Sequence, residues 1–228
     1  RQIWRVAYPC GIHFLISQIV GYAALWLIRR SGGGIDEYYE QAIFLTGLTG
    51  ILSMLPCLWF YSKDRIARRN GGLVLAQKPW KLDLTEMILF LGMGAAFSQY
   101  ANMFVGLLQS VLNYQEYQET MDQMTSGKSM WFLILSMGVI APLAEEIVFR
   151  WLIYLRLRDY VRMGAAMVIS GLIFGIYHGN LAQAVYAGIL GMIFAYFLEI
   201  SGCLWGSVLL HMGANIWSLV SPDLVSWM

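Results

Sequence analysis

Of the 228 residues, 58% are apolar and only 13% are charged, about half the roughly 25% charge of a soluble domain, and mean hydropathy is +0.58. These values exclude a water-soluble globular enzyme and a disordered or collagen-like chain. Fifteen basic against fourteen acidic side chains leave a net charge of +1, which argues against nucleic acid as a partner and leaves membrane lipid as the surrounding medium.

A membrane-crossing helix needs about 20 mostly apolar residues, and candidates run through Ile3–Ile28, Ala42–Tyr61, Leu84–Leu112, Ser129–Tyr154, Gly164–His178, Leu181–Leu198 and Cys203–Val220. The expected fold is all-α, a polytopic transmembrane bundle of about seven to eight helices. Pro142, which lacks a backbone donor, is expected to kink or split the long apolar stretch between Ser129 and Tyr160, and a split would give the eighth. The whole chain, 1–228, reads as one membrane domain, with N-terminal spans in 1–128 and the chemistry-bearing helices in 129–221. No signal-peptide pattern opens it, so the first span is expected to be retained. Cys10, Cys57 and Cys203 are widely spaced in apolar stretches and predict packing residues rather than disulfides or a metal cluster.

Charge alternates between the spans. Arg1 and Arg5 precede the first, and Asp36, Glu37 and Glu40 follow it. Lys63, Arg65, Arg68, Arg69, Lys78 and Lys81 crowd the next connection, Glu116, Glu119 and Asp122 the one after, and Arg156, Arg158 and Arg162 the next. The positive-inside rule then places the N-terminus and basic loops in the cytoplasm and the acidic loops outside, in what reads as a bacterial cytoplasmic membrane.

Polar groups inside the apolar stretches are few and therefore informative. Glu146 and Arg150 are i,i+4 neighbours, and a structural salt bridge accounts for both. Glu145 points about 100° away from Glu146 and lacks that partner, which suits a group that takes a proton from water and returns it to a leaving amine. His178 lies one turn after Phe174. His211 and Asn215 share a face of the last span, where they serve either as helix–helix glue or as a site. Gly171, Gly175, Gly179, Gly188, Gly191, Gly206 and Gly213 are expected to allow close helix approach. Counted from the basic turn at Arg158–Arg162, Glu145 and His178 both lie roughly 20 Å along a helix, and His211 about 14 Å from its own turn. The four groups are thus expected to meet inside the membrane.

Glu145-Glu146-x-x-x-Arg150, Phe174-x-x-x-His178 and His211-x-x-x-Asn215, in this order and each on an apolar helix, resemble the motifs of the CAAX protease and bacteriocin-processing (CPBP, or Abi) family, which includes the type II prenyl endopeptidases. The resemblance covers about Ile140–Leu219. It implies intramembrane peptide-bond hydrolysis, with Glu145 and His178 activating water, His211 and Asn215 stabilising the oxyanion or binding metal, and Glu146 and Arg150 as structural support. Metalloprotease chemistry would call on Zn²⁺ held by Glu145, His178 and His211. The same residues also serve a metal-free mechanism, since HExxH is absent. The implied substrate is a peptide or protein, either lipidated or a bacteriocin-type precursor. A transporter or channel, and a non-catalytic membrane scaffold, are the competing readings.

Overall fold

The computed structural model describes residues 2–71, 82–110, 112 and 114–226. Among these, all regular structure is helical: α1 (Gln2–Arg30), α2 (Ile35–Glu40), α3 (Ala42–Gly71), α4 (Leu84–Leu107), α5 (Tyr114–Thr125), α6 (Met130–Leu157), α7 (Met163–Tyr177), α8 (Leu181–Ser201) and α9 (Leu204–Ser226). Arg1, Lys78 and Lys81 of the basic segments lie outside the described residues.

Five helices, α1, α3, α4, α6 and α8, are long and apolar enough to cross a membrane. Large apolar side chains such as Phe14, Ile19, Leu55 and Trp131 stand exposed on the outer faces, where a bilayer rather than water must cover them. The chain is a multi-pass helical membrane protein. Helix α7 is apolar but has only 15 residues, about 22 Å. Helix α9 is not among the five because His211, Asn215 and several Ser and Gly residues interrupt its apolar run.

Two expectations are corrected. Pro142 does not split its stretch, so no eighth span forms: α6 continues through it, with π-helical segments at Ile134–Ile140 and Ile147–Tyr154 on either side. The acidic connections are not loops. They form the short helices α2 and α5, which pack on each other. Glu37 Oε2 accepts the Gly34 N–H at 2.7 Å at the start of α2, and backbone donation holds this exposed carboxyl below the usual range.

Helix ends follow local chemistry. Asp83 and Glu86 cap α4 reciprocally, at 2.8 and 3.0 Å. Gly179 (φ +70°) and Gly202 (φ +62°) take the left-handed turns after α7 and α8. Gly179 is therefore a turn residue, with open space where a Cβ would stand, and not the packing residue expected. The other glycines expected to allow close approach do so. A Cβ on Gly175 would run into the Ala184 carbonyl of α8 and one on Gly213 into the Leu91 carbonyl of α4, so α7 packs along α8 and α4 along α9 almost backbone to backbone. Helix α6 lies inside, its residues Ile147–Leu157 all buried against α1, α3, α7, α8 and α9. All three cysteines are free, two of them buried.

Candidate active site

The site forms where α9 crosses the middle of α6. In the first π segment the Ala141 N–H bonds to Ser136 O. Met137 O thereby loses its α-helical partner, and its partner in the wider register is Pro142, which has no N–H. The Asn215 carboxamide supplies the missing donor, at 2.8 Å to Met137 O. One of its N–H groups is thus committed to holding α6.

One turn earlier on α9, His211 meets both carboxylates of α6. Its Nδ1 is 3.0 Å from Glu146 Oε1, and because a carboxylate accepts, Nδ1 carries the proton. Nε2 then faces Glu145 Oε2 at 3.5 Å. The Phe194 ring stacks on the imidazole with centroids 4.7 Å apart and fixes its plane. The pairing of Glu146 with Arg150 is present at 3.2 Å, both side chains being almost wholly buried. None of the guanidinium nitrogens has an aligned hydrogen-bond partner. The cation instead lies over Phe174 at 4.2 Å and near Phe194 at 5.3 Å, in space that a Cβ at Gly191 would take from Nη2.

His178, at the end of α7, folds back so that Nδ1 bonds to Phe174 O at 2.8 Å, leaving Nε2 as its free nitrogen. Phe174 presents its ring to both imidazoles, with centroids 4.8 Å from His178 and 5.6 Å from His211. Among the described residues no carboxylate oxygen lies within 4.0 Å of His178, whereas Glu145 and Glu146 both reach His211. Of the four residues expected to meet, Glu145 and His211 are brought together, Asn215 sits a turn away on Met137 O, and His178 joins them through Phe174. Glu146, expected only as support for Arg150, is also the residue that orients His211.

Glu145 lines a cavity of about 350 Å³ walled by His13 and Ser17 of α1, Tyr38 and Tyr39 of α2, Thr46 and Thr49 of α3, Met124 of α5 and Tyr177 of α7, among others. His13 and Tyr177, absent from the motif reading, are joined there at 2.5 Å. The sequence signal that could have found them is one charge-capable histidine in an otherwise apolar first span.

A zinc ion would require Glu145, His178 and His211 to place donor atoms about 2 Å from one point. Among the described residues no group of three His, Cys, Asp or Glu side chains converges in this way, although Glu145 Oε2 and His211 Nε2 stand 3.5 Å apart and the His211 Nδ1–H on Glu146 is the bond a ligating imidazole makes. Glu145 and His211 are the two donors that would hold an ion here, and His178, the third expected donor, is not brought to them.

Fold and site together define a helical membrane protein with a glutamate–histidine–glutamate chain at the wall of a cavity between helices. Residues 127–217 match the family described as type II CAAX prenyl endopeptidase Rce1-like. A Bacillus subtilis protein described as "Putative membrane peptidase YdiL" is 23% identical over 232 residues, covering 96% of this chain and 88% of that one. No solved structure matches the chain. The match and this relative bear out the resemblance to the CAAX protease and bacteriocin-processing family that the three motifs carry.

Proposed function

We propose that the protein is an intramembrane endopeptidase acting on a membrane-associated peptide, lipidated or plain, with Glu145 as the base that activates water. The observation that carries this reading is a carboxylate on the wall of a cavity, with the Nε2 of a histidine 3.5 Å from it and the other nitrogen of that ring on a second carboxylate. Glu145 takes a proton from a water molecule, whose oxygen then bonds to the carbonyl carbon of the peptide. As the carbon–nitrogen bond breaks, protonated Glu145 returns that proton to the leaving amine. His211, held by Glu146, turns its Nε2 to Glu145 at 3.5 Å, and that nitrogen accepts a hydrogen bond from Glu145 once the carboxyl has taken the proton from water. His178, whose Nε2 is free and whose ring meets the same Phe174 as His211, is the second imidazole assigned to the attacking water. The reading is metal-free and routes no step through an ion.

The test uses the full chain in liposomes and a mixture of randomised decapeptides, with new termini read by mass spectrometry. The wild type is expected to generate new termini and Glu145→Gln to lower the rate about 10²- to 10⁴-fold with unchanged thermal stability. Wild-type activity in Glu145→Gln would remove Glu145 from the chemistry. Activity lost on chelation and restored by Zn²⁺ would replace the metal-free scheme.

A further inference from the structure

We propose that the Tyr177 hydroxyl, held by His13, donates a hydrogen bond to the carbonyl oxygen of the bound peptide bond. The proposal rests on the hydrolase reading above and adds two residues that the three motifs do not specify, Tyr177 at an open position of the second motif and His13 far from all three.

Negative charge that develops on the carbonyl oxygen during water attack needs a fixed donor. The polar groups of α9 are largely committed: His211 donates from Nδ1 to Glu146, and Asn215 donates to Met137 O. Tyr177 and His13 share the cavity wall with Glu145. The Tyr177 ring is fixed edge-on against Phe149 at 5.3 Å and against the His13 ring at 5.4 Å, so its hydroxyl is held in place before substrate arrives. His13 is itself buried, at 7% exposure, in the first helix and far in sequence from the segment that matches the family.

The bond between them makes the idea specific about one proton. With hydrogen on Nδ1, His13 donates to the Tyr177 oxygen and leaves the phenolic hydrogen free to point into the cavity. With hydrogen on Nε2 instead, Tyr177 must give its only hydrogen to His13 and has none for a substrate. The proposal therefore requires the Nδ1–H form of His13.

Two measurements decide it. The first is ¹⁵N NMR of the imidazoles in the full chain. Its three histidines are assignable by the resonances lost in His13→Gln. Protonated Nδ1 on His13 is expected, and protonated Nε2 overturns the proposal whether or not any variant folds. The second is cleavage of the fastest peptide from the mixture in liposomes. Tyr177→Phe is expected to lower kcat about 10²-fold with KM within about twofold. His13→Asn, whose amide can stand in for Nδ1–H, is expected to retain more activity than His13→Ala. If Tyr177→Phe cleaves at the wild-type rate while Glu145→Gln is dead, this proposal falls and the hydrolase reading stands. If wild type and Glu145→Gln release the same termini at the same rate, both fall.

Discussion

Glu146 serves two partners through one oxygen. Oε1 accepts from His211 and faces Arg150, so the residue that stabilises α6 is also the one that sets which nitrogen of His211 looks toward Glu145. Removing the cation should expose that double role. Arg150→Ala leaves a carboxylate buried without its charge partner and is expected to destabilise the fold by about 3–5 kcal/mol, seen as a lower melting temperature and folded yield in detergent. A well-folded but inactive Arg150→Ala would instead move Arg150 into the chemistry. The i,i+4 spacing of Glu146 and Arg150 made their pairing readable from sequence, because both ends lie on one helix. The contacts of His211 with both carboxylates were not readable. They depend on how α9 rotates against α6, and helical spacing within one segment carries no information about rotation between two. Equal counts along the two helices were the ground for expecting His178 beside Glu145, but its ring turns to its own backbone, with Nδ1 on Phe174 O.

At the scale of the element, α6 shows how a proline can sit in a membrane helix without breaking it. The sequence reading placed a kink or a split at Pro142, since the residue removes a donor, and that much of the physics is correct. What apolar composition could not disclose is the π register around it and the side chain from another helix that replaces the lost donor. Asn215 is thus a structural tie to Met137 O as well as a candidate site residue, and the two roles can be separated. Asn215→Ala should cost about 1–3 kcal/mol through the unmet carbonyl. Pro142→Ala restores an N–H at that position, so the loss caused by Asn215→Ala is expected to be smaller in the Pro142→Ala background. Thermal unfolding of the four proteins in a double-mutant cycle measures the difference, and additive effects would show that the two residues act independently. Helix α9 carries a related lesson: the polar residues that make it interesting, His211 and Asn215, also lower its hydropathy, so it falls outside the long apolar spans.

Across the whole molecule, apolar length and composition were enough to predict an all-α membrane bundle, because the bilayer leaves few alternatives to helices. Charge was read less well. Arg156, Arg158 and Arg68 belonged to basic connections by sequence, but here they are joined to acids. Arg156 bonds to Asp64 at 2.6 Å, Arg5 O at 2.6 Å and Tyr8 at 2.7 Å. Arg68 pairs with Asp159 at 2.8 Å, and Arg158 with Glu199 at 2.9 Å. This belt ties α1, α3, α6 and α8 at one end of the bundle. Arg156 is 1% exposed, so Arg156→Met should lower stability by about 3 kcal/mol. Arg5→Ala, at the half-exposed rim of the same belt, should cost under about 1 kcal/mol. Comparable losses for the two variants in thermal unfolding would mean that the belt is not ordered by burial.

The cavity wall has a further consequence. The carboxylates and two of the imidazoles belong to α6, α7 and α9, whereas most of the surface that a guest would touch comes from α1, α2, α3 and α5. Apart from His13, substitutions in the first half of the chain can therefore reshape what is admitted without disturbing the groups that move protons.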